Sequence, residues 1–413
     1  MPVKLAIVGG GVSGLVAGHL LQRDHDVTLF EAGAYAGGHT NTVRVGRHAV
    51  DTGFIVFNDR NYPSFERLLA RLGVATQPSQ MSFGVSDARG EFEYASHSPN
   101  GLFATRRHLA TPWFHRMLAD LVRFQRDARA LLADGAGDPS LGAWLEERRY
   151  SRAFVDRLIV PQASAVWSAD PRQMWTFPAR FLAAFFDNHG MLGLRDRPRW
   201  QTVTGGSARY VEALTRPWRD RIRLATPVQA IARHDDHVAV TVRGRPPERF
   251  DEVILATHSD QALALLADAS AAEHEILGAI PYALNEAVLH TDRRLLPRRR
   301  RAWASWNYHL VDEPTGATTV TYHMNRLQAL RADRELCVTL NRTAAIDPST
   351  IIRTIPYAHP VYTAAGERAQ RRHAEISGRN RTHYCGAYWG WGFHEDGLRS
   401  AVAVADRLGV PWP

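Results

Sequence analysis

The sequence predicts an α/β fold in two domains, and three observations carry that prediction. An apolar strand pattern, a glycine-rich turn and a helical pattern follow one another at the start of the chain. Apolar runs of the same kind return in the middle, so one sheet is assembled from distant segments. Between them lie a long helical stretch and a series of strand-like runs that form a second, inserted domain.

The first unit runs from Lys4 to Glu31. Leu5, Ala6, Ile7 and Val8 make a buried-type strand, and Gly9-Gly10-Gly11-Val12-Ser13-Gly14 leads into a helix. In such a turn Gly9 permits the reversal, Gly11 lets a pyrophosphate reach the backbone, and Gly14 lets helix and strand pack closely. The phosphate charge then meets the helix N-terminus around Ser13. A second strand, Val27 to Phe30, ends at Glu31, 17 residues beyond Gly14. That is close to the roughly 20-residue spacing at which an acid meets an adenosine ribose. The unit is Rossmann-like, and these residues alone leave NAD and FAD both open.

At 413 residues the chain can bury a sizeable core, and two domains are the natural expectation. Lys and Arg number 50 against 42 acids, giving +8, which suits anionic ligands or an anionic membrane face. Nucleic acid is disfavoured, because no helix-turn-helix, zinc-finger or RNP pattern accompanies the charge. Cys337 and Cys385 are far apart and form no CxxC, which points away from zinc and disulfide scaffolds and toward a reducing cytoplasm. Met1 is followed almost at once by the first strand, and no apolar run nears the ~20 residues of a membrane span. The expectation is a cytoplasmic protein, at most peripheral to the inner membrane face.

Tyr62 to Leu72 has helical apolar spacing and stops at Gly73, a C-cap. From about Phe103 to Asn188 the pattern is helical. Gly205-Gly206-Ser207 opens a further helix through Val211 and Leu214, with Ser207 or its neighbour as N-cap. A phosphate loop is the weaker reading there, since no Gly-Lys-Ser/Thr follows. His234-Asp235-Asp236-His237 lies between strands Val228 to Ala232 and Val238 to Val242 and reads as a polar turn, so no metal is assigned. Val253 to Thr257 is another parallel-type strand, followed by a helix from Ala262 to Ala267. Four strand-like runs, Glu286 to Thr291, Trp303 to Leu310, Thr318 to His323 and Leu336 to Leu340, predict an antiparallel sheet. The nucleotide domain is then residues 1–85, 195–270 and 378–413, and the substrate domain residues 86–194 and 271–377.

Beyond Glu31-Ala32 come Gly37-Gly38-His39-Thr40, a hairpin and Asp51-Thr52-Gly53-Phe54. On these residues the chain resembles the flavin amine oxidase and phytoene desaturase superfamily, and the resemblance implies FAD. Neither cysteine lies where that family attaches a flavin, which implies non-covalent binding. Asp51 to Asn58, Tyr322 to Gln328 and Tyr384 to Leu398 resemble more closely a bacterial branch of FAD-dependent oxidoreductases. Members of that branch are often encoded beside cyclopropane-fatty-acid-synthase-like methyltransferases, and the likeness spans nearly the whole chain. It implies an amine-oxidase-like fold in which Gly9, Gly11, Ser13, Gly14, Glu31, Gly38, His39, Gly53 and Phe54 hold the cofactor. The same resemblance implies that Val228 contacts the adenine through its backbone, and that Asp396, Gly397 and Leu398 open a helix facing the flavin pyrimidine. The positive end of that helix stabilises the anion on N1 and O2 of reduced flavin.

Three departures matter. Gly38-His39 stands where the superfamily has Gly-Gly-Arg, Asn285 where amine oxidases carry a lysine near flavin N5, and Phe393 where they carry a tyrosine of the amine-binding aromatic pair. These changes argue against amine oxidation. His394, Glu395 and Asp396 are candidates for acid–base work, with electrostatic bias of the helix N-terminus an equal alternative for the two acids. No catalytic residue is assigned. Tyr388, Trp389, Trp391 and Phe393, separated only by Gly390 and Gly392, predict an apolar substrate wall with Asn285, an ordinary packed core being the alternative.

No GxSxG, HExxH or Walker lysine is present. The expected function is FAD-dependent oxidation or desaturation of a hydrophobic compound such as a fatty acyl lipid. The alternatives are a flavin amine oxidase and, from another class, a non-catalytic nucleotide-binding scaffold. The run Arg298 to Arg301, between Leu295-Leu296-Pro297 and Ala302-Trp303, reads either as a solvated loop or as a polybasic patch on an anionic membrane. In the second reading the flanking Leu and Trp enter the interface.

Overall fold

Five parallel strands make the nucleotide sheet, in the order Ile222–Arg223, Asp26–Phe30, Lys4–Val8, Glu252–Leu255, Thr382–Tyr384. The computed structural model describes residues 2–134, 137–193, 197–312 and 316–412; the expected boundary at residues 194 and 195 lies outside them. Both faces of the sheet are covered, which is why its central strands are apolar throughout instead of alternating. One face carries the helices Val12–Leu21 and His394–Arg407 packed on each other, with Trp218 lying against Gly18. The other carries an antiparallel sheet of Val228–Arg233, Val238–Val242 and Glu248–Phe250, whose Ile231, Val240 and Phe250 meet Ala6, Val8 and Phe30.

Several local readings hold. The helix Pro63–Leu72 ends at Gly73 in the left-handed region at φ +65°. The amide of His234 donates to the carbonyl of His237 at 2.8 Å, closing the turn between its two strands. The helix Ala208–Thr215 starts where expected, but Ser207 does not cap it. The Ser207 amide and hydroxyl instead donate to Asp51 at 2.9 and 2.8 Å, and Thr42 Oγ1 accepts the amide of Ala208 at 3.0 Å.

Asp51 is fully buried and joins three segments. Besides Ser207, Thr42 donates to it at 2.5 Å, and Gln328 of the second domain donates through Nε2 at 2.8 Å while accepting the Asp51 amide at 2.9 Å. All these donors are neutral, and burial pushes the Asp51 carboxyl up to about 7.

The second domain is built on a seven-stranded sheet ordered Ile351–Pro360, Tyr282–His290, Cys337–Leu340, Val320–His323, Trp306–Leu310, Phe83–Asp87, Glu93–Ala95. It is antiparallel except where Trp306–Leu310 runs parallel to Phe83–Asp87. Two of its features are absent from the sequence reading. Ile351–Pro360 carries Pro356 and Pro360, which mask a strand pattern but are tolerated because this strand is at the sheet edge. Phe83–Asp87 joins this sheet two residues before the expected boundary at residue 85. The helical stretch is confirmed as a layer including Pro112–Ala133, Val160–Trp167 and Ala179–Asn188.

The arginine run keeps Arg298, Arg300 and Arg301 exposed, but its flanking apolar residues do not take the place the membrane reading gave them. Glu93 accepts the amides of Arg298 and Arg299 and pairs with the Arg299 guanidinium at 2.8 Å. Leu295, Leu296 and Trp303 are buried, so the run offers no apolar anchor. Among the described residues no helix is long and apolar enough to cross a membrane.

Asp51→Asn turns one acceptor oxygen into a donor among donors and is expected to cost about 1–3 kcal/mol. The folded carboxyl titrates above its ordinary range, so the native state holds that proton more tightly than the unfolded chain. The contribution of Asp51 to stability therefore declines as pH rises from about 4 toward 7. Urea unfolding across that range should show the wild-type advantage over Asp51→Asn shrinking.

Candidate active site

The glycine turn divides its work as its spacing implies. At Gly9, φ is +108° and a Cβ would lie 2.7 Å from the Ala256 carbonyl oxygen; at Gly14 a Cβ would collide with the Gly9 carbonyl. Those two positions are closed by packing. A Cβ at Gly11 would meet nothing within 4 Å, so its missing side chain leaves space open to a ligand. Gly38, at φ +58°, backs onto the Cα of Gly11, and the Gly37 amide donates to Gly10 at 2.7 Å. Gly397 lets the C-terminal helix start beside the first helix, since a Cβ there would lie 2.8 Å from Val12 and 2.9 Å from Ser13 Oγ. Two helix N-termini thus converge on the space in front of Gly11.

Glu31 sits at the end of its strand with its carboxylate accepting the amides of Gly10 and Gly33, each at 2.6 Å. The Thr226 amide donates to the Glu31 carbonyl at 2.8 Å. Val228, two residues on, packs half-buried against the cluster that contains Phe30.

On the side of the second domain, the Phe54 amide donates to the His39 carbonyl at 2.8 Å, and Gly53 is pressed onto the same carbonyl. The His39 ring stacks on Tyr357 at 4.8 Å and lies 5.2 Å from His359 and 6.2 Å from His258. Burial first, then the neighbouring histidines, hold its imidazole well below the usual range, and its Nε2 is buried with no partner among the described residues. Asn285 is buried behind this group and hydrogen-bonds His359 Nδ1 at 3.0 Å. Sequence reasoning found His39 and Asn285 but missed His258, Tyr357 and His359, which are gathered from separate segments and share no local motif.

At the C-terminal motif the three candidate acid–base groups are structural. His394 stacks on Phe54 at 3.6 Å, with Thr40 Oγ1 and the Tyr210 hydroxyl 2.9 and 3.0 Å from its Nε2; burial holds it down to about 3. Glu395 accepts the amides of Ser64 and Phe65 and so caps the helix Pro63–Leu72. Asp396 accepts the amides of Trp391 and Phe393 at 3.1 and 3.0 Å, and burial pushes its carboxyl up to about 6. Leu398 is fully buried.

The four aromatics divide. Tyr388 is buried, and Trp389 packs 4.3 Å from His373, with Gln370 holding the Tyr388 and Gly390 carbonyls. Trp391 and Phe393 face the helical layer instead. Phe393 stacks on Phe185 at 5.4 Å, and Trp167 donates to the Trp391 carbonyl at 3.3 Å. Phe181 stacks on Tyr362 at 5.1 Å, and the Tyr362 hydroxyl is buried with no partner among the described residues.

An open cradle at Gly11, an acid at ribose spacing and converging helix N-termini fit a dinucleotide. The unpartnered His39 Nε2 and Tyr362 hydroxyl are polar groups that a ligand reaching toward the second domain would satisfy. The arrangement is that of a protein that holds a dinucleotide at the glycine turn. The flavin containing amine oxidoreductase family matches residues 12–338, and the chain belongs to that family. Its cofactor is FAD.

The chain is 26% identical over 250 residues to AofH of Mycobacterium tuberculosis, named as a flavin-containing monoamine oxidase, over 58% of this chain and 53% of that protein. It thus spans about half the length of the curated relatives it matches. In structure it resembles cyclohexylamine oxidase from Brevibacterium oxydans with a TM-score of 0.69 and 16% identity, over 99% of this chain and 100% of that one. It also resembles a CLA-producing fatty acid isomerase from P. acnes with a TM-score of 0.64 and 14% identity, over 98% of each chain.

The contrast between glycines is testable. Gly11→Val should fold to within about 1 kcal/mol of the wild type, because nothing crowds its side chain, yet lose the yellow cofactor. Gly14→Ala should unfold at lower temperature even as the apoprotein. Visible absorbance and apoprotein melting separate the two.

Proposed function

We propose that this oxidoreductase oxidises or desaturates a hydrophobic compound, with a fatty acyl lipid as the substrate class. The observation that carries this reading is the aromatic wall of Phe181, Phe185, Tyr362, Trp391 and Phe393, where the helical layer meets the cofactor motif. The nearby carboxylate of Asp396 is already engaged by two backbone amides, and burial holds His189, stacked on Phe185 at 3.8 Å, down to about 4. An acyl chain needs only apolar contact there, whereas an ammonium group needs a charged or strongly polar partner. Bound FAD supplies a ring that accepts a hydride; the chain supplies orientation and a dry wall. A fatty acid isomerase carries the same fold. Amine oxidation is the second reading, favoured by the family and by AofH.

A lipid substrate goes with contact at an anionic membrane. The stretch Arg106 to Trp113 exposes Leu109 and Trp113 beside the exposed Arg106 and Arg107. Sedimentation with anionic but not neutral vesicles at low salt supports that contact; equal sedimentation dismisses it.

The substrate reading is tested by anaerobic bleaching of the visible flavin band with amines and with unsaturated or methyl-branched fatty acyl lipids. Bleaching by the lipids is expected, and fast bleaching by amines alone overturns it. Both cysteines are buried, with their thiols pushed up by that burial. Acid precipitation should therefore release all the flavin from the chain.

A further inference from the structure

Three side chains behind His39 form a hydrogen-bond chain whose polarity is fixed by the backbone. The Glu286 amide donates to Asn341 Oδ1 at 2.9 Å, and Asn341 Nδ2 donates to the Thr318 carbonyl at 2.9 Å. A backbone N–H can only donate and a carbonyl can only accept, so the Asn341 amide has one orientation. Its Nδ2 also donates to Asn285 Oδ1 at 2.7 Å, which leaves Asn285 Nδ2 facing His359 Nδ1 at 3.0 Å. His359 Nδ1 therefore accepts, and the proton of the neutral ring sits on Nε2. No protein partner takes that N–H among the described residues.

We propose that Asn341 and Asn285 lock His359 as a neutral Nε2–H donor directed at the ring of the bound FAD. The groups around it are His39, which follows Gly37-Gly38, His258, just beyond the strand Glu252–Leu255, Tyr357, two residues earlier on its own strand, and Asn285 on the neighbouring strand. None is a carboxylate. Burial first, then His258, holds the His359 imidazole down to about 4, so the ring is uncharged at neutral pH. Protonation would have to occur on Nδ1, where the Asn285 amide already donates. His359 thus favours negative charge on the reduced cofactor by hydrogen bonding alone, and it cannot act as a base through Nε2. The inference rests on the FAD cofactor and is independent of the substrate class.

The test is the two-electron midpoint potential of the holoenzyme, set with a chemical reductant so that no substrate is involved. His359→Leu is expected to weaken reduced relative to oxidised FAD about tenfold, a fall of about 30 mV. His359→Gln, which retains an Nε2 donor, is expected to recover most of it. Asn285→Asp reverses the chain: the carboxylate accepts from Nδ1, Nε2 becomes the acceptor, and the ring can charge near neutrality. Its potential should acquire a pH-dependent step between about pH 5 and 8 that the wild type lacks. A His359→Leu protein with bound FAD and an unchanged potential overturns the proposal. An Asn285→Asp protein with the wild-type pH profile overturns it independently, whether or not His359→Leu folds.

Discussion

Asp51 has no contact with water, and the groups that satisfy its carboxylate come from the glycine-side hairpin, from the start of the helix at Ala208 and from Gln328 in the second domain. A buried carboxylate is tolerable only when its lone pairs are filled, and here no single segment can fill them. The three pieces must arrive together. That requirement fixes the hairpin that leads into Gly53 and Phe54, and through their contact with the His39 carbonyl it fixes the position of His39. The geometry of the site is therefore downstream of one charge-burial problem.

The nucleotide half was legible because its signals are local. Gly9 to Glu31 is a contiguous strand, turn, helix and strand whose spacing has a steric reason at nearly every glycine. The C-terminal motif was legible as a location but not as chemistry. The sequence placed His394, Glu395 and Asp396 at a helix start, yet Glu395 caps a helix more than 300 residues away in the chain, and no periodicity encodes that. His258, Tyr357 and His359 were invisible for the same reason, being joined only by tertiary packing. The edge strand at Ile351 was hidden by its own prolines, which local propensity counts against a strand and sheet position permits.

The interdomain region is electrically quiet. His39, His189, His258, His359 and His394 all have their imidazoles held low, with burial the first cause in each case. Hydrogen-bond polarity, not net charge, is what such a surface offers a cofactor and a substrate. A low-dielectric pocket strengthens those dipoles, so neutral donors can do work that would require ions in water.

The order of the strands in the nucleotide sheet has a consequence for how the protein is made. Thr382–Tyr384 completes that sheet, and the helix His394–Arg407 covers the helix that follows the first strand. A ribosome releases the amino-terminal strand long before either partner exists. The apolar surface of Leu5, Ile7 and Leu15 therefore waits until the segment from Thr382 to Arg407 has been made, at roughly 5–20 residues per second, before its own domain can close. The inserted domain has no such delay on its carboxyl side. Newly synthesised chains should accordingly pass through a stage in which the second domain is assembled and the cofactor domain is open, and that stage is when protection against aggregation is most needed.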